Sequence, residues 1–247
     1  MSARQAIGID IGGTGIKGGV VDLDSGELVG DRLVVPTPEG GRPQDVARVT
    51  QEVLENVDSA GRAVGVCVPA VVRQGRTLSA ANISAEWIGL DAEGLFQHTL
   101  GRPVRLINDA DAAGLAEVRF GRGTAPPGVT LVITLGTGIG SALFIDGALV
   151  PNTELGHLKI DGEIAERRAA FSSLRREQLE WREWAGRISR YIRDIERLFS
   201  PDLIVIGGGG SAHFDHFAHH LEVSTLIRCA RFHNNAGIVG AATLARS

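Results

Sequence analysis

The stretch NDADAAGLAE, from Asn108 to Glu117, sets two carboxylates two residues apart, directly after the apolar run VRLI. A carboxylate at the end of a buried strand can accept a proton from a substrate hydroxyl, whereas one in the first turn of the next helix meets the positive end of the helix dipole. Asp109 has the first position and Asp111 the second. Two further stretches, DIGGTGIK (Asp10 to Lys17) and LGTGIGS (Leu135 to Ser141), share a strand, glycine turn, strand pattern. Glycines let backbone N–H groups converge on phosphate oxygens, and the Thr14 hydroxyl adds a donor. Asp10, at its strand end, can hold Mg²⁺ through water, because that ion takes oxygen ligands and keeps much of its hydration shell. Either loop alone could be an ordinary hairpin. The pair argues for two turns gripping a phosphoryl group in transit. Neither is a Walker A loop, which needs GK followed by Ser or Thr, nor a GxGxxG between strand and helix.

Three other groups could do chemistry. GGGG, Gly207 to Gly210, follows an apolar strand and precedes a helix, so it serves either an extended phosphate chain or tight strand-to-helix packing. ELGH, Glu154 to His157, suits the neighbouring hydroxyls of a sugar, one fixed by a carboxylate and one by an imidazole; a capping Glu and a satisfied His is the other reading. His213, His216, His219 and His220 read as one helix with three on a face. With only Asp215 nearby to complete a ligand set, a solvated histidine-rich surface is the stronger reading.

The elements that must position these residues follow from pattern. Ile7 to Gly12, Ile16 to Leu23 and Leu28 to Val35 read as an antiparallel meander, and Pro43 opens a helix with Val46, Val49, Val53 and Val57 on one face. Ala63 to Val72 returns to strand. A helix near Ala92 to Leu100, the strand VRLIN and a helix from about Ala110 to Phe120 follow. From Val129 the meander repeats, with a DG turn at Asp146 and Gly147. A long helix near Gln178 to Phe199 carries Trp184, Ile188, Tyr191, Ile195 and Leu198 on one stripe. LIVI, Leu203 to Ile206, is a buried strand, and Ala236 to Ala245 is a closing helix.

The chain has 247 residues, 43% of them hydrophobic, enough for one large α/β domain or two lobes. A net charge of −4 argues against nucleic-acid or membrane-surface partners, which need a concentrated positive field. Arginine supplies all of the 25 basic residues except Lys17 and Lys159. Cys67 and Cys229 have no metal-ligand spacing and suggest a reducing, cytoplasmic setting. The start MSARQAIGID has no apolar leader, and no segment reaches the roughly 18 apolar residues of a membrane span.

The order DIGGTGIK, NDADAAGLAE, LGTGIGS, ELGH and IGGGG resembles the ROK family of sugar kinases over nearly the whole chain. GIDIGGTGIKGGVVDLDSGEL, ANISAEWIG and PNTELGHL are most similar to the branch of that family that phosphorylates glucose with inorganic polyphosphate and sometimes ATP. The resemblance implies an α/β, two-lobed actin-like ATPase (ribonuclease H-like) fold, each lobe a mixed sheet with flanking helices. Residues 1–110 with 236–247 would form the small lobe and 111–235 the large one, with the active site in the cleft between them.

It further implies that Asp109 is the general base for the glucose 6-hydroxyl, and that Asn108, Glu154 and His157, with Asn82, hold the sugar. Asp10 would position hydrated Mg²⁺. Gly12, Gly13, Thr14 and Lys17, with Thr134, Gly136, Thr137 and Gly138, would surround the transferred phosphoryl, and Gly208 and Gly209 would meet the donor. A homodimer is implied by the family alone.

Many members of the family follow the ELGH-like segment with a zinc-binding cysteine cluster that leads to another sugar-binding Glu. HLKIDGEIAERRAA has no cysteine, so zinc is not expected, and Glu166 is chosen over Glu163 for that role. Ser141 stands where many members have Gly. An ATP-specific kinase for glucose or another hexose such as mannose competes with the polyphosphate reading. A non-catalytic sugar-binding regulator is disfavoured by Asp109 and by a phosphate loop that begins at residue 12, leaving no room for a DNA-binding module before it. Arg73, Arg76, Arg102, Arg105, Arg119 and Arg122 are candidates for flanking a polyphosphate groove, with a dispersed solvated surface as the alternative.

Overall fold

The computed structural model describes residues 4–58, 60–81, 83–123 and 125–245. The chain divides into two compact units, one made of residues up to Ala116 together with those from Asn235 onward, the other of Glu117–Asn234.

In the first unit, β1 (Gln5–Ile11) and β2 (Gly15–Asp22) pair antiparallel, and β3 (Leu33–Pro36) pairs antiparallel with β2. The third strand is shorter than its sequence suggests: Leu28 makes only an isolated bridge to Val21 before the chain rejoins the sheet at Leu33. Helix α1 (Pro43–Val57) starts on the proline at its first position and buries Val46, Val49, Thr50, Val53 and Leu54. It leads to β4 (Val64–Val68), which joins β1 in parallel. A small hairpin of β5 (Val72–Arg73) and β6 (Arg76–Thr77) follows, then α2 (Ala92–Leu100), β7 (Val104–Asn108) and α3 (Asp109–Phe120). The sheet order is β3-β2-β1-β4-β7.

β1 and β4 are buried along almost their whole length, as strands covered on both faces must be. One cover is the C-terminal helix (Ala236–Leu244), which lies directly on their backbones. A Cβ on Gly8 would lie 1.7 Å from the Ile238 carbonyl oxygen, and one on Gly65 would lie 1.9 Å from that of Ala241. The other face packs α1, α2 and Trp87 into a single core with Ile7, Ile9, Val66 and Phe96.

In the second unit the same plan is repeated. β8 (Val129–Leu135) and β9 (Ile139–Ile145) pair antiparallel, and β10 (Ala148–Val150) follows β9 through a two-residue turn in which Asp146 and Gly147 both have positive φ. The hairpin of β11 (Lys159–Ile160) and β12 (Glu163–Ile164) precedes the short helices α4 (Ala165–Ala169) and α5 (Phe171–Arg176) and the long α6 (Trp181–Phe199). β13 (Leu203–Gly207) then joins β8 in parallel, and β14 (Leu226–Cys229) joins β13. The order β10-β9-β8-β13-β14 matches that of the first sheet position for position. The second core is separate and centres on Leu131, Ile133, Trp184, Tyr191 and Ile206. Of the stripe expected on α6, Trp184, Ile188, Tyr191 and Ile195 are buried, whereas Leu198 is 61% exposed. Phe199, four residues after Ile195, packs against the core instead, and Ser200, in the left-handed conformation, ends the helix.

The histidines do not share one helix. They fall on a 3-10 turn (Gly209–His213), the single-turn α7 (Phe214–Phe217) and another 3-10 turn (Ala218–His220). His213 and His216 lie against Trp181, with ring centroids 5.3 and 5.2 Å away, as part of an aromatic cluster with Phe171 and Trp184.

Candidate active site

In the first unit the glycine loop is the turn between β1 and β2. Its hairpin closes by a Gly12 N–H to Gly15 carbonyl bond of 2.9 Å, and Thr37 braces it from β3's end, donating its hydroxyl to the Gly12 carbonyl at 2.6 Å and its N–H to that of Thr14. Gly13 and Thr14 are left exposed at the tip. The strand register puts Asp10 opposite Lys17 on one side and Cys67 on the other. Side chains in register point to the same face, so the three meet. Lys17 Nζ donates to Asp10 Oδ2 at 2.9 Å, and the Cys67 thiol lies 3.5 Å from Asp10 Oδ1. Burial foremost, then the negative charges of Asp10 and Asp109, push the Cys67 thiol far up, so it faces Asp10 as a neutral donor. A carboxylate held this way, with its side chain 14% exposed, suits Mg²⁺ bound through water, which needs few direct protein ligands. Among the described residues no three His, Cys, Asp or Glu side chains are grouped to form a metal cage.

Asn108 ends β7, and its side-chain oxygen accepts the N–H groups of Ala110 at 2.8 Å and Asp111 at 3.0 Å. This is an N-cap for α3. Its amide nitrogen donates to the Ala70 carbonyl at 3.1 Å, tying the strand end to the loop after β4. Among the described residues its second amide hydrogen has no partner. Asp109 opens the helix, half-buried, and one of its oxygens accepts the Ala110 N–H at 2.8 Å. Asp111 is buried at 1% exposure in the same first turn. The two acids therefore have different surroundings, which is what distinct roles require. Asn82 lies outside the described residues.

In the second unit, the equivalent turn between β8 and β9 closes by a Gly136 N–H to Gly138 carbonyl bond of 3.0 Å. Ser172 braces it as Thr37 braces the first, its N–H on the Gly136 carbonyl and its hydroxyl on that of Thr137. Thr134 is half-buried in β8, its methyl group toward Gly207. Gly208 has φ of 72°, and a Cβ there would lie 2.7 Å from the Leu135 backbone nitrogen. Its glycine is required by packing against the end of β8; Gly209 faces open space.

Glu154, His157 and Glu166 come together beside this second loop. His157 Nδ1 is 3.8 Å from Glu154 Oε2, and its Nε2 is 3.6 Å from Glu166 Oε1. Glu166 Oε2 accepts the Ile139 N–H at 3.3 Å. Burial raises the Glu154 carboxyl above its ordinary value; the His157 charge opposes this and that of Glu166 adds to it. Glu163 instead points to solvent and pairs with Arg168 at 3.2 Å. Sequence reasoning missed what positions the group. The Ser141 hydroxyl bonds the Thr153 carbonyl and accepts the Leu155 N–H at 3.0 Å, clamping the chain on both sides of Glu154. Gly156 seats the turn on β9, since a Cβ there would lie 2.2 Å from the Ile139 carbonyl oxygen.

Several of the arginines considered for a polyanion are engaged elsewhere. Arg102 joins Arg62 on the buried Asp58, Arg76 bonds the Gly89 carbonyl, and Arg119 lies over the Phe120 ring. Arg73 and Arg105 are exposed. No helix among the described residues is long and apolar enough to cross a membrane.

Residues 6–173 match the ROK family. The chain is 45% identical, over 97% of its length and 90% of the relative's, to the polyphosphate glucokinase of Mycobacterium tuberculosis. Its structure superposes with a TM-score of 0.94 on the inorganic polyphosphate/ATP-glucomannokinase of Arthrobacter sp. strain KM, at 48% identity and 98% coverage of both chains. A ROK family glucokinase from Streptomyces griseus, solved with glucose and AMPPNP, superposes with a TM-score of 0.84 at 25% identity, covering 98% of this chain and 99% of that one. The repeated sheets are those of the actin-like ATPase fold of these sugar kinases, and the chain belongs to the ROK family.

Proposed function

We propose that this protein is a glucokinase that transfers a phosphoryl group from inorganic polyphosphate or ATP to the 6-hydroxyl of glucose. The observation that carries this reading is 45% identity, over nearly the whole chain, to a polyphosphate glucokinase, with Asp109 half-buried at the end of β7. In the reaction the 6-hydroxyl oxygen forms a bond to the terminal phosphorus and the phosphoanhydride P–O bond breaks. Polyphosphate shortened by one unit, or ADP, leaves. Asp109 accepts the hydroxyl proton as the new bond forms, and the Ala110 N–H on its Oδ1 fixes the carboxylate's direction.

Glu154, His157 and Glu166 hold sugar hydroxyls, the carboxylates accepting and the imidazole donating or accepting according to its tautomer. Asn108 adds one amide hydrogen while keeping the start of α3 rigid. The tips of the two glycine turns, Gly12 to Thr14 and Gly136 to Gly138, receive the phosphates with backbone N–H groups, and Lys17 contributes charge beside them. Asp10 would hold hydrated Mg²⁺, which when bound would supply positive charge to offset that of the donor phosphates. Positioning and charge neutralisation are the main demands of phosphoryl transfer, and these residues address both.

Mannose is a second acceptor on this reading, favoured by the Arthrobacter relative, whose name covers both sugars. The test is a set of steady-state rates with glucose or mannose as acceptor, and polyphosphate or ATP as donor, in the presence of Mg²⁺. Turnover of glucose with polyphosphate is the expected result. No transfer from either donor to either hexose would reject the proposal.

A further inference from the structure

The glycines that let the two turns approach a phosphate also leave their peptide planes free to flip, because a residue without Cβ adopts positive and negative φ about equally readily. A flipped peptide would present its carbonyl oxygen to an anion instead of its N–H. Each turn therefore needs its peptide planes held, and in each a single residue holds them. In the first unit the Thr37 hydroxyl donates to the Gly12 carbonyl at 2.6 Å, and the Thr37 N–H reaches the Thr14 carbonyl at 3.3 Å. In the second unit the Ser172 N–H donates to the Gly136 carbonyl at 3.0 Å, and its hydroxyl donates to the Thr137 carbonyl at 2.7 Å. A trans peptide is planar, with its C=O and N–H pointing opposite ways. Fixing the Gly12 carbonyl thus turns the Gly13 N–H away from Thr37, and fixing the Gly136 and Thr137 carbonyls turns the N–H groups of Thr137 and Gly138 away from Ser172. None of these three N–H groups has a protein acceptor among the described residues.

The two braces are not copies of each other under the repeat that relates the sheets. Thr37 directly follows β3, whereas β10, which has the equivalent place in the second sheet, is followed by Pro151 and Asn152. Thr153, the first hydroxyl after β10, donates to the Ser141 carbonyl at 3.0 Å, and the brace comes from α5 instead. Two turns of the same pattern thus carry the same restraint from unrelated parts of the chain, which the repeat of the fold does not by itself require. We infer that Thr37 and Ser172 are positioning residues for the phosphoryl donor, their hydroxyls locking the glycine turns so that the N–H groups of Gly13, Thr137 and Gly138 face phosphate oxygens. Neither side chain touches the donor. An unbraced turn spends part of its time with a carbonyl toward the phosphate, and apparent affinity falls with the fraction of the binding-competent form.

These roles depend on the two turns receiving the donor phosphates, as proposed above, and the experiment separates them from the kinase reading itself. Thr37→Val and Ser172→Ala remove a hydroxyl with little change of shape, whereas Thr37→Ser and Ser172→Thr keep it. The four variants and the unaltered protein are compared by kcat/KM for polyphosphate at saturating glucose, by glucose KM and by thermal midpoint. Thr37→Val and Ser172→Ala should each lower kcat/KM for polyphosphate about fivefold or more, the factor that one net hydrogen bond supplies, with glucose KM changed less than about twofold and the thermal midpoint within a few degrees. Thr37→Ser and Ser172→Thr should stay within about twofold of the unaltered protein in all three measurements. If the unaltered protein phosphorylates glucose and either Thr37→Val or Ser172→Ala keeps its kcat/KM for polyphosphate, the inference is overturned and the kinase reading stands. A lowered thermal midpoint with the glucose and donor constants worsened alike would also overturn it, since the hydroxyls would then serve only the fold. No turnover by the unaltered protein with either donor would remove the kinase reading, and the inference with it.

Discussion

Lys17 and Asp10 face each other across the first hairpin, Nζ to Oδ2 at 2.9 Å, because the β1–β2 register makes them direct partners. The lysine therefore both offsets the Asp10 charge and sits at the base of the glycine turn. Lys17→Met should leave the thermal midpoint within a few degrees, since a partly exposed pair is worth about 1 kcal/mol or less. The same change should lower kcat/KM for the phosphoryl donor about tenfold or more. Donor kinetics at saturating glucose check this, and an unchanged kcat/KM would show that the pair serves only the fold.

Ser141 holds Glu154 in place from one strand away, through the Thr153 carbonyl and the Leu155 N–H. Ser141→Ala leaves the Leu155 N–H without its acceptor, a loss of about 1–2 kcal/mol in stability. Glucose KM should rise about fivefold while donor KM stays within twofold. Parallel titrations of the two substrates distinguish this from a general loss of activity.

Much of this arrangement is legible in the sequence because glycine turns and apolar strands leave strong local marks. The two meanders, the placing of Asp109 where a strand passes into a helix and the ELGH turn all come from such marks, although Asp109 itself falls in the first helical turn with Asp111. The bracing is not legible. Thr37, Ser141 and Ser172 are small polar residues whose partners are fixed by tertiary packing, and nothing in their local pattern announces it. Asn108 is an intermediate case. An Asn just before a helix is an N-cap signal that the sequence carries, and its capping bonds to Ala110 and Asp111 occupy its side-chain oxygen. Leu198 followed the helical period yet is exposed, because Phe199 beside it, at the other spacing the period allows, takes the core-facing place.

Asp58 gives a pH dependence. It is buried, with Arg62 at 2.7 Å and Arg102 at 2.9 Å. Burial works against its ionisation, but the donors of Arg102, the Ala60 N–H and Arg62 outweigh it and hold the carboxyl at about 2. The unfolded value is near ~3.9, so the folded state binds fewer protons between these limits, and the stabilisation is full above about pH 4 and lost as pH falls through 2. Its size is roughly 2 kcal/mol. Urea titrations at pH 6 and pH 2.5 should show Asp58→Asn strongly destabilising at the higher pH and closer to the unaltered protein at the lower. Equal gaps at both pH values would contradict the role given to this ion pair.

Asn108→Ala should cost about 1–2 kcal/mol, as expected for a lost N-cap, and more if the Ala70 carbonyl is left without its donor. Because the cap orients the turn that bears Asp109, kcat should fall along with stability. Chemical denaturation and turnover measured on the same preparation test both halves.

The central claim is that Asp109 takes the proton of the sugar hydroxyl. Its most direct test is single-turnover phosphoryl transfer to glucose by Asp109→Asn, with glucose affinity measured separately by calorimetry. The transfer rate should fall by about 10² or more with glucose affinity changed less than threefold. A transfer rate near that of the unaltered protein, with glucose still bound, would contradict it.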